Sequence, residues 1–458
     1  MRLDELNPKT EELVQKYEKC LQEGSPCYFD VDEFEDISDF YIKKGQSKES
    51  RDVVEVGLRV HPNSSILWLR KATLYLEIGE FQRALRILDR LPEKDDADAN
   101  LVRAECLYRL NRNEEALILL DKIMAEESSE RAEMALDISG ILVQVGDYQN
   151  AIRFLKDALN ESPDNIDVLY ELAYNYEQLN QTQDAATVYH QILDLDPYSG
   201  ETWFNLGQNL FNDQKYTEAV EAYDFAMVVN PSDTLSLLQK AHALFQSEKY
   251  EEATIAYLEY AKETGTTSAI CVYIGETYEK LGQLEAAMAQ YQEAYQLEPT
   301  NIDALTGMGI CLMEQEKFRE SLIWFERSLR LDQQISETWV YVAEVFINID
   351  MPEEAMLCYI RSLELDPLQA DVLAAIGNLH FDAGTYEKAL YHYEQAELIN
   401  PDLPGLDLFF ALAYTKLDNK SEAMKHLEAA INKEPESKKM YDDIINEDET
   451  PNPNQTTS

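Results

Sequence analysis

Pro163, Pro197, Pro231, Pro299, Pro367, Pro401 and Pro435 are separated by 34 residues or by twice 34. A chain that repeats at this period is built from small supersecondary units. None of them can bury its apolar face alone, so the fold must be a stack of like neighbours. Such a stack also escapes the ceiling of roughly 250 to 300 residues at which a single core stops growing, which matters for a chain of 458 residues. With each proline set at repeat position 32, the repeats begin at Val31, Ser65, Ala97, Ala132, Ile166, Gly200, Thr234, Ser268, Ile302, Ser336, Ala370 and Pro404, twelve in all.

In this register position 20 is alanine or serine in every repeat, from Ser50 and Ala84 to Ala389 and Ala423. Position 8 is equally small: Ser38, Ala72, Ala104, Ser139, Ala173, Gly207, Ala241, Gly275, Gly309, Ala343, Gly377 and Ala411. Small residues at two fixed places let a pair of helices approach closely, and bulky residues at positions 4, 7, 11 and 24 fill the space around the contact. Trp68, Trp203 and Trp339 occupy position 4, and a ring holds position 24 in seven consecutive repeats, from Tyr189 to Tyr393.

The segment ETWFNLGQNLFNDQKYTEAVEAYDFAMVVNP, with Trp203, Leu206, Gly207, Ala219, Tyr223, Ala226 and Pro231 at its marked positions, resembles the tetratricopeptide repeat. The resemblance covers about nine-tenths of the chain. It implies an all-α fold of tandem helix-turn-helix repeats wound into a right-handed α-solenoid superhelix. The expected organisation is an N-terminal helical cap over residues 1–30, repeats over 31–435, a C-terminal capping helix over 436–447 and a disordered tail over 448–458. Departures are local: repeat lengths change near PEKDDAD and EESSER, and Ser128, Gly265 and Gln333 replace the usual proline. Lys71, Arg103 and Lys240 at the normally apolar position 7 are expected to lay their stems along apolar surface.

Trp203 and Phe204 are adjacent, and neighbouring helical residues point about 100° apart, so one of them needs a second surface. The resemblance supplies one: positions 2, 5, 9, 12 and 13 of the first helices face the concave side of the superhelix. It places Tyr170, Tyr174, Phe204, Gln208, Phe211, His242 and Phe245 there, while Trp203 packs. Further along, Glu276, Glu279, Glu344 and Asp382 make that side acidic. The expected ligand is a protein or peptide segment, apolar with basic flanks, held in a partner-binding groove. The competing expectation buries these rings between repeats, and the chain then serves as a constitutive subunit of an assembly held by its convex face or its ends.

Charge narrows the classes further. Asp and Glu number 87 against 39 Lys and Arg, a formal net charge of −48, which repels phosphate backbones and argues against nucleic acid. Apolar runs are too short to span a bilayer, and the start of the chain lacks a secretory signal, so the expected location is cytoplasmic. The carboxylate clamp that binds chaperone tails is absent: around Asn205 its companion positions hold Tyr170, Tyr174, Leu235 and Gln239.

No catalytic constellation or cofactor motif is present. GMGICL at Gly307 lacks the third glycine of a phosphate loop, and DVDEFED has Glu35 where a calcium loop needs glycine. His380 and His392 share a repeat without a third metal ligand. Cys20, Cys27, Cys106, Cys271, Cys311 and Cys358 follow no disulfide or metal spacing and are expected to be small core residues. The chain is therefore expected to be a non-enzymatic scaffold or adaptor.

Overall fold

The computed structural model describes residues 8–24, 28–91, 96–125 and 130–449; Cys27, the EESS stretch and the tail from 450 lie outside the described residues. Among the described residues every regular element is a helix, 26 in all, and consecutive helices pair. The first helices of twelve pairs begin at Val31, Ser65, Ala97, Arg131, Ile166, Gly200, Thr234, Ser268, Ile302, Ser336, Ala370 and Leu406. A further helix, Pro8–Glu23, precedes them and Ser437–Glu449 follows. The chain forms two compact bodies, an N-terminal one up to Pro231 and a C-terminal one from Ser232.

Within each repeat the first helix stops for a backbone reason. Position 15 is left-handed in all twelve repeats, at Gly45, Gly79, Asn111, Gly146, Asn180, Gln214, Glu248, Gly282, Glu316, Asp350, Gly384 and Asp418, with φ between 54° and 77°. The next amide then bonds back five residues, as in Lys215 N to Leu210 O at 2.9 Å and Gln283 N to Tyr278 O at 2.8 Å. These bonds satisfy carbonyls that the helix end leaves open and aim the second helix back along the first.

Where position 24 is a ring, that ring requires the small residue at position 8. A Cβ added at Gly207 would stand 2.5 Å from Tyr223 Cε1, and one at Gly377 would stand 2.2 Å from Tyr393 Cε1. Tyr223, Tyr291, Phe325 and Tyr393 are buried completely or nearly so. Tyr291 sits in a cluster with Cys271, Ala287, Ala294, Ala304, Leu305 and Met308, so one ring ties a repeat to the first helix of its successor.

The tryptophans at position 4 do more than pack. Trp68, Trp203 and Trp339 donate their indole N–H to the carbonyls of Pro62, Pro197 and Gln333 at 3.0, 3.0 and 3.2 Å. The bond uses a main-chain carbonyl, which is why it survives where Gln333 stands in place of proline. Cys106, Cys271, Cys311 and Cys358 are buried and Cys20 is half-buried, all as free thiols. Lys71 pairs with Glu55 at 2.5 Å while its ammonium lies 5.0 Å from the Trp68 ring centroid, and Arg103 pairs with Asp89 at 2.5 Å. The acidic DVDEFED run is a helix start, with the Asp30 amide donating to Glu33 Oε2 at 2.9 Å.

Candidate functional site

The expected groove residues fall into both compact bodies. In the N-terminal body, Tyr174 is 41% exposed. Tyr170 is half-buried, its hydroxyl bonded to Ser199 Oγ at 3.1 Å and to Thr202 Oγ1, at the start of the next repeat. Gln208 Oε1 accepts from the buried Tyr223 hydroxyl at 2.5 Å. Phe204 is half-buried, 5.9 Å between centroids from Tyr223, and Phe211 meets Tyr216 edge-on at 5.2 Å. Trp203 stacks at 4.6 Å on Phe225, which is itself half-exposed, so this tryptophan faces the second helix of its own repeat.

A common cause underlies several of these contacts. A buried tyrosine hydroxyl at position 24 needs a partner, and the first helix supplies it from position 9 or 12. Tyr223, Tyr257 and Tyr393 use Gln208, His242 and Asn378 at position 9, at 2.5, 2.7 and 2.8 Å. Tyr189 and Tyr291 use Glu177 and Glu279 at position 12, at 3.0 and 2.9 Å. Burial pushes the His242 pKa below its ordinary value, so at neutral pH the ring is an uncharged partner of Tyr257.

In the C-terminal body a cleft of about 350 Å³ opens beside three successive first helices, Ser268–Lys280, Ile302–Glu314 and Ser336–Asn348. Phe245 and Glu276 both line it, with Glu279, Asp303, Thr306, Glu337, Thr338 and Tyr341. Burial, reinforced by Asp303 and Glu279 against the opposing effect of Lys280, raises the Glu276 pKa from 4.5 to about 7. Glu279 is raised by burial although the Tyr291 hydroxyl and Lys280 oppose it. Glu344, two repeats further, is raised by burial and by Asp371 and Glu314. Asp382 is raised by burial.

Asp303 and Glu337 occupy position 2, one of the positions that the resemblance turns inward, so their place was readable from the register. Thr338, at position 3, carries no such signal. His380 and His392 stack at 5.4 Å, and burial lowers both pKa values. Among the described residues no group of three His, Cys, Asp or Glu side chains is disposed to hold a metal ion. No helix among them is long and apolar enough to cross a membrane.

Three tetratricopeptide-repeat family models match the chain, over residues 142–210 and 380–443, 69–130 and 204–269, and 275–316. The chain belongs to the tetratricopeptide repeat family. It is similar to the TPR repeat-containing protein YpiA of Bacillus subtilis (strain 168), at 22% identity over 34% of this chain and 37% of that one. It is also similar to BBSome complex member BBS4 of Bos taurus, at 24% identity over 24% of this chain and 21% of that one. The chain thus spans well under half the length of these relatives. Among solved structures it is similar to the anaphase-promoting complex hetero-tetramer Cut9-Hcn1, with a TM-score of 0.41 and 16% identity over 88% of this chain and 99% of that one.

Proposed function

We propose that this tetratricopeptide repeat protein is a non-enzymatic interaction scaffold, resident in the cytoplasm. It binds a protein segment, apolar with basic flanks, along the inward positions of its first helices. The helices Pro8–Glu23 and Ser437–Glu449 serve as end caps of the array. The observation that carries the reading is the acidic cleft of the C-terminal body. Four carboxylates, Glu276, Glu279, Asp303 and Glu337, line it, and among the described residues the neighbouring Lys280 is the one basic residue that does. Burying like charges together is unfavourable unless a cation offsets them, and a basic partner supplies that cation. The tyrosine-linked residues Tyr170, Gln208 and His242 shape the inward surface, whereas Tyr174 is the exposed ring that a ligand touches.

A second reading has its own support. Ile255, Ile323, Leu357 and Tyr391, all at position 22 of second helices, are 65%, 52%, 67% and 58% exposed. A recurrent apolar residue at one outward position suits a constitutive subunit held by its outer side. Two full-length variants separate the readings in capture from the soluble extract of the source cell. One carries Glu276→Gln, Glu279→Gln and Glu344→Gln; the other carries Ile323→Lys and Leu357→Lys. With helicity retained in both, loss of a bound protein from the first alone supports the inward surface. Loss from the second alone overturns it in favour of the outer side.

A further inference from the structure

Three equivalent positions are filled differently at one repeat junction in each compact body. In the N-terminal body, position 5 is Tyr170, position 34 is Ser199 and position 3 of the next repeat is Thr202. The phenol hydroxyl bonds both side-chain oxygens, and Thr202 Oγ1 donates to Ser199 Oγ at 2.8 Å. The C-terminal body carries Thr306, Ile335 and Thr338 at the same three places.

Each replacement removes part of that polar set. Thr306 is short, and its hydroxyl bonds Ser328 Oγ at 3.0 Å. Ile335 has no polar side chain. Thr338 is 1% exposed, and its Oγ1 has no hydrogen-bond partner. All three residues line the cleft. Where the Ile166 repeat holds a tyrosine side chain, the Ile302 repeat holds an opening with an unsatisfied buried hydroxyl on its wall. Such a group is costly to leave unpaired.

The surroundings define what fills it. Ile302, Ile310 and Ile335 give the cleft an apolar side, and Glu276, Glu279, Asp303 and Glu337 an acidic one. Glu279 and Glu337 already accept from Tyr291 and Tyr341, at 2.9 and 3.4 Å. Among the described residues no donor bonds Glu276 or Asp303. The occupant therefore needs an apolar stem, a positive end and several donors in fixed directions. A guanidinium on three methylenes meets each requirement, with five N–H donors and a flat face suited to the neighbouring Phe245 and Tyr341 rings.

We propose that this cleft receives an arginine side chain of the bound segment, its guanidinium donating to Glu276, Asp303 and the Thr338 hydroxyl and its stem lying along Ile302, Ile310 and Ile335. The proposal rests on the inward-surface reading above and sharpens it to one side chain. Burial first, then Asp303 and Glu279, raise the Glu276 pKa, and a cation in the cleft would hold this carboxylate charged.

The test uses the full chain with labelled isoleucine methyl groups and three N-acetylated peptide amides, Gly-Arg-Gly, Gly-Lys-Gly and Gly-citrulline-Gly. The arginine peptide is expected to shift the Ile302, Ile310 and Ile335 methyl signals saturably. The lysine peptide should bind at least about threefold more weakly, and the neutral citrulline peptide should leave the signals in place. Glu276→Gln with Asp303→Asn should weaken the arginine peptide at least about tenfold.

Thr306→Tyr with Ile335→Ser rebuilds the polar set of the N-terminal body and should abolish binding while the remaining methyl spectrum is kept. Equal binding of arginine and citrulline, no shift at these methyls, or undiminished binding in both double variants overturns the proposal. Any of these results leaves the broader inward-surface reading intact, because that reading is tested by where a partner protein touches the chain and not by which side chain enters this cleft.

Discussion

Gln214, Glu248 and Glu316 hold left-handed backbone at φ 60°, 62° and 60°, in the turn that joins the helices of their repeats. A side chain with a Cβ in this region costs roughly 1–2 kcal/mol. Glycine removes that strain but gives back roughly 0.5–1 kcal/mol in chain entropy. The net gain for each replacement is therefore about 0.5–1 kcal/mol. All three side chains are exposed and, among the described residues, make no hydrogen bond or ion pair, so nothing else is lost. The sites lie in different repeats and should add, which puts Gln214→Gly, Glu248→Gly and Glu316→Gly together at about 1.5–3 kcal/mol of stabilisation. The reverse change is Gly282→Ala, at φ 69° with nothing within 4 Å of the added methyl. It should cost about 1 kcal/mol through the backbone alone. Guanidinium unfolding followed by far-UV circular dichroism should show a higher midpoint for the triple variant and a lower one for Gly282→Ala. An unchanged midpoint in both would refute the claim that position 15 terminates the first helix at a conformational cost.

Other consequences follow from the same geometry. Gly207→Ala drives a methyl to 2.5 Å from the Tyr223 ring; overpacking of about 1–3 kcal/mol should outweigh the helix propensity gained, and thermal unfolding should show a lower midpoint. Glu276 has its folded pKa raised from 4.5 to about 7, so the folded state binds this proton more tightly than the unfolded state. The associated stability is fully present below pH 4.5 and is lost as the pH rises to about 7. Glu276→Gln should abolish that part of the pH dependence, which urea midpoints across this range would reveal. Tyr291→Phe removes the donor at 2.9 Å from Glu279, and an NMR titration should find the Glu279 pKa higher than in the native chain. Trp339→Phe breaks the indole bond to the Gln333 carbonyl and should cost about 1 kcal/mol in the same unfolding assay.

The register was legible because two obligatory contacts write themselves into the sequence. A ring at position 24 forbids a large side chain at position 8, as Gly207 with Tyr223 and Gly377 with Tyr393 show, and that constraint recurs with the period. The left-handed turn also left a trace, since position 15 is glycine or asparagine in seven repeats, although Gln214, Glu248 and Glu316 dilute it. The inward surface was legible only in part. The family resemblance puts Tyr170, Gln208 and His242 at positions expected to face inward but does not say that Ser199, Tyr223 and Tyr257 engage their polar groups. For Gln208 and His242 the clue was the coincidence of a polar residue at position 9 with tyrosine at position 24. Thr338 could not be found from its own position. Its unsatisfied hydroxyl results from what Thr306 and Ile335 fail to provide, a three-body property spread over two repeats.

The most direct test of the account is site-specific photo-crosslinking in the soluble extract of the source cell. A benzophenone side chain would replace Tyr174, Glu276, Ile323 or Leu357, one at a time, in the full chain. Crosslinks from positions 174 and 276 to a partner segment carrying basic residues, with none from 323 and 357, are the result the account predicts. Crosslinks confined to positions 323 and 357 would contradict it and assign the working surface to the outward side of the second helices.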